Sequence, residues 1–172
     1  LWVTADGIVY EDFNKDVHIL DDDKMPEKRE YVRYYCGVDW GYEHKGAMVL
    51  FGVTADEKHY ILRVIAAQHM LVDWWKEQAT GIIKEYGYGI RFYCDSARPD
   101  NIEEFRKANI WAVEANKAVN AGVECVAGKW KTKTLFIARS QTQDFLSEIY
   151  SYVWDGKTGN PVKIKDDVMD AM

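Results

Sequence analysis

Cysteine is scarce in this sequence. Among 172 residues there are only Cys36, Cys94 and Cys125, an odd number, each in an apolar context and without C-x-x-C spacing. A disulfide framework or a structural zinc site is therefore not expected, and a reducing compartment such as the cytoplasm fits best.

Long hydrophobic runs and excess positive charge are also lacking. No stretch approaches the roughly 20 apolar residues of a membrane span, and the first residues do not form a signal peptide, so no membrane association is expected. The 22 basic and 28 acidic residues give a net charge of −6, which disfavours binding to a polyanion through the overall field. Nucleic-acid contacts would need a local basic patch, whereas acidic clusters suggest a metal.

Length and hydrophobic content bound the number of domains. With 172 residues and 48% hydrophobic content, the chain suffices for one well-buried domain but not for two. Residues 1–30 have few regularly spaced apolar positions and include a charge run with a proline, which predicts an N-terminal arm or linker. Residues 31–172 are predicted to form the domain. The start at Leu1 and the abrupt end at Met172 lead us to expect a fragment of a longer protein.

The first part of the predicted domain is rich in β-strand patterns. Alternating residues over Tyr31–Asp39 predict a strand that ends at a carboxylate, and a short polar turn separates it from a second strand at 46–53. A third strand at His59–Ala67 completes an antiparallel meander. A period of three to four residues then predicts an amphipathic helix at 71–86, followed by a fourth strand at 90–95.

The remaining elements are shorter. A helix is predicted after Pro99, with Asp100 and Glu103 spaced as in a capping box. The other predictions are a strand at 110–113, helices at 116–126, 140–149 and 165–172, an extended piece at 150–154, and an unassigned segment at Leu135–Ala138. The predicted fold class is α/β, with a central mixed sheet of five or more strands flanked by helices.

Two aspartates stand at the ends of predicted strands, namely Asp39 and Asp95. A helical crossover from the third strand of the meander to the fourth would make the first and fourth strands parallel, so both would end at the same sheet edge, about 4.8 Å apart if adjacent. Asp is also common as a simple turn residue, which explains either aspartate alone. The two together favour a functional site.

A third acidic group lies near the end of the chain. Asp170 shares a helix face with Asp166 or Asp167, although acidic first turns also simply suit a helix N-terminus. Carboxylates without His or Cys partners favour Mg²⁺ or Mn²⁺. Three converging aspartates suit two such ions about 3.5–4 Å apart, an arrangement used in phosphodiester hydrolysis.

These motifs resemble, in type and order, those of a known protein family. They are G-V-D-W-G at 37–41, Y-C-D-S-A-R-P at 93–99, Y-V-W-D at 152–155 and D-D-V-M-D-A-M at 166–172. The chain resembles the nuclease domain of the large terminase subunit of tailed bacteriophages, an RNase H-like fold. The family motif continues with a basic residue and a tyrosine, which this chain does not reach.

The resemblance implies a metal-dependent endonuclease that cuts concatemeric viral DNA during packaging, in the cytoplasm of an infected bacterium. It implies that Asp39, Asp95 and Asp170 hold two divalent cations, with Asp167 a weaker candidate where some members have histidine. Its expected partners are double-stranded DNA, an ATPase motor joined through residues 1–30, the terminase small subunit and the procapsid portal.

Basic residues are candidates for DNA contacts. Lys129, Lys131 and Lys133 concentrate positive charge around a tryptophan, but a solvated face explains them equally well. Lys45 lies in the predicted turn beside Asp39, where a plain polar turn is the simpler interpretation. Arg98 would either contact DNA or pair with a site carboxylate. Gly41 is predicted to leave space for DNA.

Two other functions share features with this sequence. An actin-like or sugar-kinase lobe begins with a similar Asp-x-Gly hairpin, but such proteins need two lobes around a nucleotide. A DNA-docking module that keeps the fold without cutting is the non-enzymatic alternative. The segment 122–130 approximates a Walker A loop, but it has one residue too many between its glycines and a Trp where Ser or Thr is required, which argues against an ATP site.

Overall fold

The fold is a seven-stranded mixed β-sheet with helices on both faces. A computed structural model describes residues 5–115, 119–155, 158, 160–161 and 167–172. The described strands are β1 (Ala5–Ile8), β2 (Ile19–Leu20), β3 (Tyr31–Asp39), β4 (Gly46–Thr54), β5 (His59–Ala67), β6 (Arg91–Cys94), β7 (Ala112–Glu114), β8 (Leu135–Ala138) and β9 (Val153–Asp155). The described α-helices are α1 (Lys15–His18), α2 (Val72–Tyr86), α3 (Pro99–Lys107), α4 (Val119–Lys131), α5 (Gln143–Ile149) and α6 (Asp167–Ala171).

The strand order of the large sheet is β2-β8-β5-β4-β3-β6-β7. Strands β3, β4 and β5 pair antiparallel as a meander, and β6 pairs parallel with β3 after the crossover through α2. This arrangement confirms the predicted α/β class with a mixed sheet of five or more strands. Strands β1 and β9 form a separate antiparallel pair.

The two faces of the sheet bury different clusters. On one face, Cys36 and Val38 of β3 pack with α2 and α3 around Trp75 and Phe105. On the other face, buried residues of β4, β5 and β8 pack with α4, α5, α6 and the N-terminal segment. The period-two alternation of β3 thus directs Tyr35, Gly37 and Asp39 toward the second face.

Described residues of the N-terminal segment, predicted as an arm or linker at 1–30, pack against the sheet. Val9, Tyr10, Phe13 and Ile19 are buried, and β2 pairs parallel with β8 in the large sheet. His18 is also buried, and its Nε2 lies 2.8 Å from the Trp130 carbonyl oxygen. The sequence did not predict this burial, because these apolar residues lie in turns and one-turn elements and have no regular spacing. That residues 1–30 join a motor domain stays a prediction.

Several short elements also differ from the predictions. The unassigned segment Leu135–Ala138 is strand β8, parallel to both β5 and β2. The predicted capping box is absent: Arg98 is the N-cap of α3, and Asp100 accepts hydrogen bonds from the Arg98 guanidinium instead. No helix among the described residues combines the length and apolar character needed to cross a bilayer.

Candidate active site

Asp39 and Asp95 follow equivalent positions on neighbouring parallel strands. Val38 of β3 pairs with Cys94 of β6, and the Asp95 amide nitrogen donates to the Val38 carbonyl oxygen at 3.0 Å. Both carboxylates belong to half-buried residues at the same sheet edge. The strand pairing therefore brings together two carboxylates that are distant in sequence, as the crossover argument predicted.

The turn after Asp95 is held on both sides. The Trp40 indole Nε1 donates to the Asp95 carbonyl oxygen at 2.9 Å, and its ring packs edge-on against Phe105 at 5.0 Å. One Asp95 carboxylate oxygen accepts from the Ala97 amide at 3.0 Å. Asp95 therefore does stabilise a turn, as a simple turn residue would, and it also lies beside Asp39.

Helix α6 brings Asp170 to the same region of the sheet. Val168, Met169 and Ala171 are buried, so α6 packs against the sheet face while Asp170 remains exposed. A Cβ atom on Gly37 would lie 1.6 Å from the Ala171 carbonyl oxygen. The helix backbone therefore rests directly on β3 two residues before Asp39, and only glycine permits this approach.

A buried carboxylate fixes the start of α6. Glu148 of α5 is 5% exposed, and its Oε1 accepts from the backbone amides of Val168 at 2.7 Å and Met169 at 3.3 Å. These amides lie in the first turn, where helix N–H groups lack intrahelical partners and a negative charge is favourable. Glu148 therefore positions the helix that carries Asp170. Helical periodicity could not identify this role, since it depends on a contact with a distant helix.

All three aspartates line one cavity of about 580 Å³. Its walls also include Ser96, whose buried hydroxyl has no hydrogen-bond partner in the part of the chain that the structure describes. The remaining lining residues come from the N-terminal segment, β3, β6, α4 and the C-terminal part of the chain: Tyr10, Tyr35, Cys36, Gly37, Val38, Tyr93, Ala115, Gly122, Val123, Val126, Tyr152, Met169, Ala171 and Met172. The cavity thus has an acidic edge, formed by the three aspartates, and an aromatic wall, formed by Tyr10, Tyr35, Tyr93 and Tyr152.

Two tyrosines in this wall are strongly shielded from water. Burial raises the pKa of Tyr10, and the negative charge of Asp170 raises that pKa further. Burial likewise raises the pKa of Tyr35, whose hydroxyl lies 2.9 Å from His59 Nδ1. Both phenols therefore remain neutral and able to donate hydrogen bonds near neutral pH.

The oxygen donors of the cavity suit a hard divalent cation. Among the described residues, no group of three His, Cys, Asp or Glu side chains is arranged closely enough to hold a metal ion. Asp39, Asp95 and Asp170 nevertheless face one cavity and supply only oxygen donors, which Mg²⁺ and Mn²⁺ prefer. The Asp167 side chain and Asp166 lie outside what the structure describes.

Comparison with solved structures identifies the fold. The chain is 25% identical to the large terminase of the thermophilic bacteriophage D6E, with a TM-score of 0.83 over 99% of this chain and 44% of that chain. The nuclease domain of the P22 large terminase matches with a TM-score of 0.76 at 18% identity, over 97% of this chain and 89% of that one. The chain has the fold of a large-terminase nuclease domain. It spans less than half of the D6E protein.

A further solved relative with the terminase nuclease fold contains a metal. The nuclease domain from bacteriophage SPP1, with bound Mn, matches at 17% identity and a TM-score of 0.69, over 95% of this chain and 94% of that one. No protein-family model matches the sequence, and no curated protein does so either. The fold assignment therefore rests on structural likeness.

Two predicted DNA contacts near the acidic edge of this terminase nuclease fold are ion-paired. Lys45 Nζ lies 3.2 Å from an Asp144 carboxylate oxygen, and Lys45 remains half exposed. The Arg98 guanidinium donates two hydrogen bonds to the Asp100 carboxylate, at 3.1 and 2.9 Å. Its carboxylate partner is therefore Asp100 and not one of the three site aspartates. Contact of either residue with DNA stays a prediction.

The lysine cluster lies away from the acidic edge. The positive charge of Lys129 contributes to lowering the pKa of His59, so the two residues are close. His59 is the first residue of β5, whereas Asp39 pairs through β4 with the other end of that strand. Lys131 and Lys133 follow Lys129 at this same end. The structure therefore does not bring these lysines to the three aspartates, and their contact with DNA stays a prediction. The Walker-like segment lies inside α4.

Gly41 has a structural role in the turn between β3 and β4. A Cβ atom there would lie 2.3 Å from the Gly46 amide nitrogen and 2.6 Å from the His44 carbonyl oxygen. The glycine thus permits the tight return of the chain between β3 and β4. That Gly41 also leaves space for DNA stays a prediction.

Proposed function

We propose that this domain is a metal-dependent DNA endonuclease that cuts concatemeric viral DNA during genome packaging. The observation that carries the proposal is the shared cavity of Asp39, Asp95 and Asp170 on a terminase nuclease fold. The Mn found in the SPP1 domain supports the use of a divalent cation. In this proposal the three aspartates bind two Mg²⁺ or Mn²⁺ ions, with Asp167 as an additional candidate ligand.

The residues of this chain would do four things in that reaction. The three carboxylates would hold divalent cations at the sheet edge. When bound, two such ions would activate water and stabilise the leaving oxygen of a phosphodiester. Gly37 permits α6 to approach, and the Glu148 carboxylate holds α6, whose Asp170 lines the cavity together with Asp39 and Asp95. The Ser96 hydroxyl offers a further oxygen in the cavity.

The proposal includes the full-length large terminase subunit to which this domain would belong. The D6E large terminase also has a structure in complex with ADP, which supports an ATPase motor in the full-length protein to which this chain would belong. Its further partners would be double-stranded DNA, the terminase small subunit and the procapsid portal, and it would work in the cytoplasm of the infected bacterium.

A non-cutting DNA-docking module is the second candidate. It is favoured by one observation, that the described side chains form no ready three-ligand metal group. Incubation of the domain with supercoiled plasmid DNA in Mg²⁺ or Mn²⁺ separates the two functions. We expect nicked and linear products from the wild type and none from Asp39→Asn, Asp95→Asn or Asp170→Asn. No product from the folded wild type in either metal would exclude the nuclease, and wild-type activity in Asp170→Asn would remove that residue from the site.

A further inference from the structure

The acidic cavity continues along β6 into an exposed surface with the opposite charge. Arg91 and Tyr93 project to the same sheet face as Asp95, because alternate residues of a strand share a face. Asp95 comes four positions after Arg91, or about 13 Å at about 3.3 Å per residue. Tyr93 lines the cavity and is 37% exposed, so it connects the cavity to this surface.

Arg91 differs from every other arginine of the chain. Six of the seven arginines lie within 4.0 Å of a carboxylate: Arg29, Arg33, Arg63, Arg98, Arg106 and Arg139. Arg91 has no such carboxylate within the residues that the structure describes. Its positive charge is therefore available to a partner outside the described chain.

Aromatic side chains hold this guanidinium in place. Its central carbon lies 4.3 Å from the centre of the Trp111 ring and 5.9 Å from that of Tyr93, and Nη1 donates to the Tyr93 hydroxyl at 3.3 Å. Trp111 is itself half exposed. Stacking on an aromatic ring orients a guanidinium while leaving in-plane N–H donors for a second group, and that planar fork matches phosphate oxygens.

The acidic surroundings make a nearby cation important for holding DNA. The chain carries a net charge of −6, and the neighbouring cavity is acidic, so DNA needs a cationic contact close to the site. Phosphates follow one another every ~3.4 Å along the axis on each strand of B-form DNA, so a duplex held at the cavity also presents phosphates at a distance of about 13 Å. A surface with one oriented cation and exposed aromatic rings fits a sugar-phosphate backbone at that distance.

We propose that Arg91, stacked on Trp111 beside Tyr93, binds a backbone phosphate of the duplex whose scissile phosphate lies at the acidic cavity, about 13 Å away along β6. This site rests on the proposed nuclease function, because it contacts the same DNA. It positions the duplex along β6 and takes no part in bond cleavage.

The test measures binding and cleavage separately. Binding of a fluorescent 30-base-pair duplex is followed by anisotropy in EDTA from 50 to 200 mM salt, and cleavage of the same duplex is followed in Mn²⁺. The variants are Arg91→Ala, Arg91→Lys, Trp111→Ala and the matched control Arg63→Ala. Arg63 is ion-paired with Glu85 of α2, and its partner in β4 is Leu50, which packs on the opposite sheet face.

We expect Arg91→Ala to bind roughly tenfold more weakly, since it loses a charge-assisted hydrogen bond, and to flatten the slope of log K against log salt by about 0.9. Its KM for cleavage should rise while kcat stays unchanged. Arg91→Lys should keep the wild-type slope, because the charge remains, and Trp111→Ala should weaken binding without changing the slope. Arg63→Ala should behave as wild type.

Three results would overturn the proposal: wild-type affinity and slope in Arg91→Ala, equal weakening in Arg63→Ala, or no duplex binding by the wild type at 50 mM salt. The first of these would instead favour a protein partner for the aromatic surface. Binding that depends on Arg91 in a wild-type domain that cleaves nothing in Mn²⁺ would support the DNA surface and exclude the nuclease function.

Discussion

Gly37 and Ala171 are in direct backbone contact across the sheet face, although 134 residues (171 − 37) separate them in sequence. The Ala171 carbonyl oxygen occupies the position at which a side chain of residue 37 would begin. Because Asp39 follows Gly37 by two residues and Asp170 precedes Ala171 by one, this contact sets the spacing between two of the three candidate metal ligands.

Replacing Gly37 by alanine should therefore displace α6. The added methyl group meets backbone atoms, which cannot rotate away as a flexible side chain would, and overpacking of this kind costs about 1–3 kcal/mol. We expect a loss of that size in the free energy of unfolding, measured in urea. Cleavage in Mn²⁺ should fall by about 100-fold, because a misplacement of about 1 Å is enough to do so.

Gly81 provides the matched control for this substitution. It lies in α2 on the other sheet face, and a Cβ atom there meets nothing within 4 Å. Gly81→Ala should raise the free energy of unfolding by about 0.5–1 kcal/mol and leave cleavage unchanged. Unaltered cleavage in Gly37→Ala would mean that the α6 contact is dispensable for the site.

Glu148 offers a second way to disturb Asp170 without touching it. Glu148→Ala leaves the first-turn amides of α6 buried without their acceptor, at a cost of about 1–3 kcal/mol. Substitution of a residue that orients a metal ligand typically weakens metal affinity by about 10- to 100-fold. Mn²⁺ binding by Glu148→Ala, measured by calorimetry, should therefore weaken by that factor. Glu148→Gln keeps an acceptor oxygen and should recover part of the affinity.

An exposed acid of the same helix is the control for Glu148. Asp144 lies in the first turn of α5 and pairs with Lys45 at the surface, so Asp144→Asn should change stability by less than about 1 kcal/mol and leave Mn²⁺ affinity unchanged. Equal Mn²⁺ affinities in Glu148→Ala and wild type would show that α6 holds Asp170 in place without this cap.

The long elements were predictable because their patterns are local. Strands β3 and β5 have the predicted bounds, and α2 begins one residue later than predicted. Strand β8 and the N-terminal segment were not predictable in this way. Four residues carry too little periodicity to distinguish strand from helix, and irregularly spaced apolar residues reveal their burial only when a distant surface covers them.

The residues of the candidate site also differ in whether a local pattern predicts them. Asp39 and Asp95 could be placed together because two strand ends and one crossover fix their relation. Gly37, Glu148 and Arg91 escaped detection because each acts through a contact that no spacing encodes: a helix backbone, two amide donors of another helix, and a ring just before the next strand. Their residue types are common, so the sequence alone carries no signal for these roles.

His59 makes stability sensitive to acid. Burial lowers its pKa to about 4, with further lowering by the nearby charges of Lys129 and Arg33. The unfolded chain, with a His pKa of about 6.5, binds more protons between these values, so stability is fully present above pH about 6.5 and declines toward pH about 4. We expect the free energy of unfolding to fall by up to about 1.4 kcal/mol per pH unit in this window from His59 alone.

The contribution of His59 is isolated by comparing variants. His59→Gln retains a partner for the Tyr35 hydroxyl but does not titrate, so its stability should decline less steeply than that of the wild type between pH 6.5 and 4. His44→Gln, in the exposed loop between β3 and β4, is the matched His→Gln control. Parallel curves for His59→Gln and wild type would assign the acid sensitivity to other groups.

Lys45 tests whether the loop beside Asp39 contacts DNA. Its ion pair with Asp144 is exposed, so Lys45→Ala should change the free energy of unfolding by less than about 1 kcal/mol. If Lys45 exchanges this partner for a phosphate, KM for duplex cleavage should rise several-fold at low salt and converge with the wild-type value as salt screens the contact. Lys107 is a suitable control, since it also forms an exposed ion pair, with Glu104 on α3. A KM unchanged in Lys45→Ala, or raised as much in Lys107→Ala, would leave Lys45 with only its surface ion pair.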